Sequence, residues 1–477
     1  MSADTLDARD FEQLAAAGIE AGEARRQLAQ LTTPPPPVRL AAACCVADGI
    51  ERLSGERQAE LHALGGDAAR AGRLLKFVPA SGAATRMFRA LEAVRRRHPA
   101  ATRAALETLA GGDADARDAL RFVELAPRLA LVDAWAANLG LPPAALHRRL
   151  DGEPLGALLA SLLDTPGYGA ATAPKALLPF HRAAEGPRSA FVEQLVEGLP
   201  YLADATGRAR YHFTIAPGAG ERFAHELAAA CPRLAAAGEL VVSFSEQSSA
   251  TDTLALDEAG RPARAADGRL LLRPAGHGAL LTNLESTGGD LVLVKNIDNV
   301  LPERWHAGVA RWKTILVGRL VEQAARRERD DRPLRVVGVV PNRGEPGGGP
   351  FWVADATGGR SLQIVESSQV DLADPGQRAI WQASTHFNPV DLVCALRDGT
   401  GTPYRLAEFV DPATAFVSRK SEGGRDLTVL ERPGLWNGAM ASWETLFVEL
   451  PGWTFAPVKS VLDLARAEHA SEAARGD

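Results

Sequence analysis

From Leu74 onward the chain repeats one pattern: a short apolar run of strand length, then a longer stretch with helical periodicity. The runs are "LLKFVP" (74–79), "ARYHFTIA" (209–216), "ELVVSFS" (239–245), "DLVLVKNI" (290–297) and "LRVVGVV" (334–340). Between them lie helix candidates, among them "GAGERFAHELAAAC" and the long stretch that starts at Glu303. Strands alternating with helices are the pattern of an α/β sheet. In such sheets ligands collect where strands end, so the polar residues that close each run are the first candidates for function.

Around this rhythm the texture divides the chain into three parts. Residues 1–70 are expected to form an N-terminal helical region, with a first helical stretch ending at the proline spacer "TTPPPPVRL" and a second running to about residue 70. Residues 71–345 carry the strand and helix alternation, interrupted at about 95–165 by an Ala- and Leu-rich block that reads as an inserted helical subdomain. Residues 346–477 are β-rich and irregular, and the tail "LDLARAEHASEAARGD" reads as helix again. The chain's 477 residues give room for two or three domains and a large core.

Composition excludes several classes. No apolar run approaches the ~18 residues that span a bilayer, and "MSADTLDARDFEQ" is acidic where a secretory leader is basic, so a cytoplasmic location with no membrane partner is expected. A net charge of −6 argues against a nucleic-acid partner. The cysteines Cys44, Cys45, Cys231 and Cys394 have neither disulfide nor metal-ligand spacing. Of 53 basic residues only Lys76, Lys175, Lys295, Lys313, Lys420 and Lys459 are lysine, so each lysine is a candidate for a place that needs a compact point charge.

Four stretches carry chemistry. In "KFVPASGAATRMFRAL" (76–91) a strand runs through Ser81, Gly82, Ala83 and Ala84 into a helix expected to start at about Thr85. Such a turn aims backbone N–H groups at one point, where Thr85 can cap and Arg86 can reach an anion; it can also be a plain turn between core elements. It is neither a P-loop nor a dinucleotide-binding fingerprint. "APKALLPFHR" presents Lys175 on a proline-stiffened segment. In "LLLRPAGHGALLTNLE", Gly276 and Gly278 flank His277, which would let backbone approach a flat ligand before a helix starts at Ala279. "LVLVKNIDNVLPE" places Lys295, Asn296, Asp298 and Asn299 at the end of a buried strand, where Asp298 can serve a hard cation. Further on, Glu366, Asn388, Asn437 and Lys459 sit among aromatic residues, a setting suited to sugar or base recognition.

Taken in chain order these pieces resemble the nucleotidyltransferase superfamily, most closely its UDP-sugar pyrophosphorylases. "PASGAATRM" resembles the signature loop G-G-x-G-T-R-[LM], "PKALLPF" the P-K-x-x-x-P element, and "FSEQ" a strand end bearing a glutamine, here Gln247. "PAGHGAL" is similar to the G-H-G or G-N-G turn, "NIDNVL" to the D-N element, "VESSQ" to V-E-Y-S-E, "THFNPVDL" to the F-N segment and "TFAPVKSV" to F-x-P-V-K. The matches span about residues 74–460. The overall pattern also resembles a bacterial family of similar length, which makes this a remote branch.

The resemblance implies a Rossmann-like, GT-A-type mixed-sheet core with N-terminal helices, a helical insertion and a β-rich C-terminal region. It implies a reaction in which a sugar 1-phosphate attacks the α-phosphorus of a nucleoside triphosphate and pyrophosphate leaves. Arg86, Lys175 and Lys459 would handle phosphates. Ser81, Gly82, Thr85, Gln247, Gly276, His277 and Gly278 would bind the nucleotide, Glu366 and Asn388 the sugar, and Asp298 would hold Mg²⁺. A glycosyltransferase with the same nucleotide half, or a catalytically idle sensor, are the alternatives. Two departures stand out. Ser81 and Ala84 replace signature glycines, so a Cβ at Ala84 is expected to limit backbone approach. Lys175 follows Arg86 at a distance of 89 residues, so the helical block must bulge out and return.

Overall fold

The computed structural model describes residues 6–236, 238–327, 331–344, 347–355, 358–422 and 425–470. A mixed sheet of nine strands is central to it. The strand order is Cys45–Val46, Gly49–Glu51, Glu444–Glu449, Leu334–Pro341, His386–Ala395, Leu291–Lys295, Leu74–Pro79, Arg208–Ile215, Glu239–Glu246. Leu74–Pro79 and Leu291–Lys295 are parallel neighbours, with Leu291 opposite Leu74 and Val294 opposite Phe77. Leu291–Lys295 is buried throughout and Leu74–Pro79 almost so, which is why both read as apolar runs, interrupted only by the buried Lys76 and closed by the buried Lys295. Leu334–Pro341 is parallel to Glu444–Glu449 and antiparallel to His386–Ala395.

The described chain forms two compact units, each drawn from discontinuous stretches. The first comprises Met1–Phe77, Ser245–Val294 and Trp312–Gly452, the second Val78–Phe244, Lys295–Arg311 and Trp453–Asp477. This partition follows compactness, whereas the serial division 1–70, 71–345 and 346–477 follows sequence texture.

In the first unit, N-terminal helices Ala8–Ala16 and Ala21–Thr32 bury Leu14, Leu28 and Leu31 against Leu254, Leu256 and Leu430. The helix expected to run on to residue 70 is shorter. Leu40–Ala43, Cys45–Val46 and Gly49–Glu51 are strands, and helix begins only at Gly55, capped by Ser54. Alanine favours helix locally, but antiparallel pairing of Leu40–Ala43 with Gly349–Ala354 overrides it. Helix Gly55–Arg70 crosses the 312–326 part of helix His306–Arg326 at close range. A Cβ on Gly65 would lie 2.0 Å from the Thr314 carbonyl oxygen, and one on Gly318 would lie 1.8 Å from that of Leu61.

In the second unit, residues 103–163 are helical, in segments Arg103–Leu109, Ala114–Leu125, Ala130–Asn138, Pro143–Gly152 and Leu155–Leu163. Leu106, Phe122, Trp135, Leu146 and Leu162 fill their shared core, and the Trp135 indole N–H donates to Ser161 Oγ at 3.0 Å. The expected C-terminal helix is not formed in the described residues. Val461–Ala465 is a single 3₁₀ turn, closed by a reciprocal cap between Ser460 and Asp463, and residues 471–477 lie outside the described residues. Among the described residues no helix is long and apolar enough to cross a membrane.

Candidate functional site

In the second unit, the loops after two parallel strands leave from the same edge of the sheet, as the parallel pairing requires. After Leu74–Pro79 comes the small-residue loop, and it leads into a 3₁₀ turn, Thr85–Phe88, before helix Arg89–Arg97. Thr85 is not the cap expected of it. Its hydroxyl donates to the Ala171 carbonyl at 3.2 Å, and the capping position falls to Ala84.

The loop is stitched to the lysine element by backbone. Ala84 N–H donates to Ala173 O at 3.1 Å, and Lys175 N–H donates to Gly82 O at 3.0 Å, around an antiparallel bridge between Ala83 and Pro174. The helical block thus does leave and return, and its two ends are pinned at one place. Lys175 opens a 3₁₀ turn, Lys175–Leu177, and its Nζ lies 2.7 Å from Asp298 Oδ2. Asp298 sits in the loop after Leu291–Lys295, and its carbonyl accepts from Val458 N–H at 3.0 Å. The next residue is Lys459, whose side chain is exposed. An unbroken series of bonds therefore runs from the Gly82–Ala84 loop through Lys175 and Asp298 to the backbone beside Lys459.

Ala84 does not obstruct the loop in the way expected. It is only 1% exposed, so its Cβ faces the core, and the loss falls on its amide, which is committed to Ala173. Gly82 is exposed, and a Cβ there would meet no atom within 4 Å. The amides of Ser81, Gly82, Ala83, Thr85 and Arg86 have no partner among the described residues, and Arg86 is exposed and makes no ion pair among them. Free amides beside an unpaired guanidinium suit a polyanion. Asp298 fits Mg²⁺ in part: a single, partly exposed carboxylate with one oxygen shared with Lys175. Mg²⁺ commonly rests on one or two carboxylates and fills its remaining positions with water and substrate phosphate. Among the described residues no group of three or more His, Cys, Asp or Glu side chains could hold a metal by itself.

In the first unit, His277 opens the 3₁₀ turn His277–Leu280 and stacks on Trp436, with ring centroids 3.9 Å apart and planes 8° from parallel. Leu435 N–H donates to His277 Nδ1 at 2.9 Å, so Nε2 carries the proton; it lies 3.9 Å from Glu366 Oε1. Desolvation pushes the imidazole down to about 4, although 32% of the side chain is exposed, because the stacked face and the Nδ1 edge are closed. Burial, with the nearby Glu431 charge, pushes the Glu366 carboxyl up against an opposing bond from Asn437. The glycines beside His277 serve packing within the protein. A Cβ on Gly276, at φ +76°, would lie 2.6 Å from Glu431 Oε2, and one on Gly278 2.0 Å from Pro433 O. The approach they permit is that of the 431–436 segment, whose Leu435 and Trp436 hold the His277 ring.

Asn388 is 3% exposed and aimed by an irregularity in its strand. The register with Leu334–Pro341 shifts between Gly338 and Val340, Pro389 follows Asn388, and Val390 takes φ +54°. For a β-branched residue that is a strained conformation, and bulges of this kind re-aim side chains. Asn388 Oδ1 accepts from Val390 N–H, while its Nδ2 is buried without a partner among the described residues. Gln247 Nε2, just beyond strand Glu239–Glu246, is likewise buried and unpartnered among them. Next to Glu366 and Asn388 is a cavity of about 150 Å³ lined by Asn342, Ser367, Trp381, Ser384, His386 and Phe387. Its Gly348 accepts from Asn388 N–H at 2.9 Å.

A family model described as "Domain of unknown function (DUF4301)" matches residues 7–328 and 323–470. The chain belongs to the DUF4301 family. No curated protein matches its sequence. Among solved structures, this DUF4301 chain is similar to the uridine diphosphate N-acetylglucosamine pyrophosphorylase of Trypanosoma brucei, with a TM-score of 0.53, 16% identity, and coverage of 97% of this chain and 80% of that one. It is also similar to the UDP-glucose pyrophosphorylase of Leishmania major, with a TM-score of 0.48, 14% identity, and coverage of 96% and 79%. The first likeness shows that the DUF4301 chain has the α/β fold of the UDP-sugar pyrophosphorylases.

Sequence reasoning left several residues of the DUF4301 site without a role. Trp436 stands next to Asn437, but nothing in the sequence pairs it with His277. Gln194 Nε2 donates to the carbonyls of Asn296 and Ile297 at 3.0 and 3.3 Å and so braces the Asp298 loop. Its signal was available in "AFVEQLVEGLPYL", a helix in which Glu193, Gln194 and Glu197 are buried among apolar residues. Several lysines make ion pairs among the described residues: Lys175 with Asp298, Lys295 with Glu197, Lys313 with Asp391 and Lys420 with Glu431.

Proposed function

We propose that this DUF4301 chain is a sugar-phosphate nucleotidyltransferase, joining a sugar 1-phosphate to a nucleoside triphosphate with release of pyrophosphate. The observation that carries the reading is the bonded series from the Gly82–Ala84 loop through Lys175 and Asp298 to the residue before Lys459. It joins the loop before Arg86, Lys175, Asp298 and the backbone beside Lys459, to which the motif resemblance assigns phosphates and Mg²⁺. The nucleophile of such a reaction is already an anion, so catalysis needs positioning and charge neutralisation and no general base. Arg86 and the loop amides bind the β- and γ-phosphates. Lys175 and Lys459 hold the α-phosphate and the sugar phosphate in line. Mg²⁺, when bound at Asp298, neutralises charge on the phosphate oxygens. Gln247 and His277 offer N–H donors to a base, and Asn388 with Glu366 addresses sugar hydroxyls.

The test is metal-dependent pyrophosphate release across nucleoside triphosphates paired with glucose 1-phosphate and N-acetylglucosamine 1-phosphate. Arg86→Ala and Asp298→Ala are each expected to lower turnover by about 100-fold or more while the fold is retained. Turnover indifferent to both substitutions sinks the assignment. One observation favours a second reading, nucleotide or sugar-phosphate binding without turnover: the Ala84 amide is bonded to Ala173 and is lost to phosphate. Calorimetric binding of a nucleotide with no pyrophosphate release under any pairing would favour that reading. A glycosyltransferase has no leaving pyrophosphate to hold, which leaves Arg86 and Lys175 together without a purpose.

A further inference from the structure

We propose that Asn299 is a positioning residue that sets Lys459 in register with Asp298; the claim rests on the proposed reaction for its catalytic consequence. Residues 455–458 belong to no helix or strand, so no ladder of regular structure fixes their course. Asn299 supplies what is missing. It is 1% exposed, and both ends of its amide are used: Nδ2 donates to Thr454 O at 3.3 Å and Oδ1 accepts from Ala456 N–H at 3.0 Å. Two residues on, Val458 N–H donates to the carbonyl of Asp298. The bonds fall on alternate residues, 454, 456 and 458, so this stretch is read by two consecutive residues of the aspartate loop.

On the far side of Lys459 the backbone is fixed again. Asp463 Oδ2 accepts from Lys459 N–H at 2.8 Å and from Ser460 N–H at 2.7 Å. The Lys459 backbone is thus held from both directions and only its exposed side chain is left to move. A lysine on a loose segment would be a cation of uncertain position; clamped through Asn299, its starting point is tied to the residue assigned to Mg²⁺. An error of about 1 Å in such placement can cost of order 100-fold in rate. Lysine at 459 and aspartate at 298 are far apart in sequence, and Asn299, through Thr454 and Ala456, ties the stretch before the one to the loop that carries the other.

The experiment compares wild type, Asn299→Ala, Asn299→Asp, Lys459→Ala and Asn299→Ala/Lys459→Ala. It reads amide hydrogen exchange over residues 453–461, and pyrophosphate release with UTP, Mg²⁺ and a sugar 1-phosphate. Asn299→Ala should speed exchange in that segment, lower kcat by about tenfold and leave the KM for UTP within about twofold. The double variant should be no slower than Lys459→Ala alone, since a residue that acts only through Lys459 has nothing more to lose. A double variant slower by the full factor of Asn299→Ala, or unchanged exchange, overturns the proposal. Asn299→Asp keeps the shape and the acceptor and replaces the alanine variant if that one fails to fold. If Lys459→Ala leaves turnover intact, or no turnover exists, the proposed reaction has failed at that residue, and unchanged or faster exchange still decides against or for the clamp.

Discussion

Gly82 and Ala84 are two residues apart and their side-chain positions face opposite ways. That direction decides what each can do for an anion. A Cβ on Gly82 points into open space on the exposed side of the loop, so Gly82→Ala should fold normally, with a melting temperature within about 2 °C of wild type. Turnover should fall by about tenfold or more, because the added methyl occupies the ground a phosphate would approach. Equal turnover in the two proteins would mean that no ligand comes to this face. His277 makes a second prediction at this scale. With its pKa held near 4, the ring stays neutral from about pH 5.5 to pH 8, so if His277 binds nucleotide as proposed, its share of the affinity should be flat across that range. Calorimetry of wild type and His277→Ala at both ends of the range tests it: the ratio of the two affinities should not change. The residue types at these positions were plain in the sequence, but not the direction of a Cβ. For that reason Ala84 looked like an obstruction, and Gly276 and Gly278 looked like room for a ligand that Glu431 and Pro433 in fact occupy.

Elements follow their own logic. Helix Gly55–Arg70 and the 312–326 part of helix His306–Arg326 approach so closely that each offers a glycine to the other's backbone. Gly318→Ala should cost about 3 kcal/mol of stability, read as a lower denaturant midpoint, because the methyl has only a carbonyl to displace. Gly65→Ala should behave alike, and the pair together should cost less than the sum, since the first substitution already parts the helices. Strands buried on both sides, such as Leu291–Lys295, were legible as continuous apolar runs. Those at 40–51 were not, because their alanines read as helix until a partner strand distant in sequence claims them. The 3₁₀ turn Val461–Ala465 has the same lesson in reverse: helix-favouring residues whose Ser460 and Asp463 side chains close a single turn.

For the molecule as a whole, the order of short motifs carried the fold. Each occupies a strand end or a turn, where a few polar residues are visible against apolar neighbours, and the order in which they arrive reflects the topology. Invisible by the same means were the buried polar contacts that brace those ends, because their partners lie far away in sequence. One such network is expected to lower stability in acid. Glu193 bonds His181 and Arg188, both at 3.0 Å; His181 Nε2 lies 2.8 Å from His469 Nδ1; and His469 Nε2 donates to Ala456 O at 2.8 Å. Burial, together with the neighbouring His181, pushes His469 down to about 3, so between the ordinary histidine range near 6.5 and about 3 the unfolded chain binds more protons than the folded one. Stability is complete above that range and declines as pH falls through it. Glu193, held low by its partners against the pull of burial, adds a loss in the same direction below the ordinary carboxylate range. Denaturant midpoints should therefore drop between about pH 7.5 and about pH 5, and His469→Gln, which keeps a donor for Ala456, should narrow the difference. An equal drop in both proteins would place the sensitivity elsewhere.

The bridge between Ala83 and Pro174 has a consequence of another kind. A chain that departs and rejoins at one hydrogen-bonded point has its two ends fixed together, however long the stretch between them. The two bonds at the neck fix the spacing of Arg86 and Lys175, and the helices at 103–163 reach back to both sides of it, with Asp115 paired to Arg89 and Asp133 to Arg182. Movement of the helical block is thereby passed to the Ser81–Ala84 loop, which makes the block a natural place to graft a sensor.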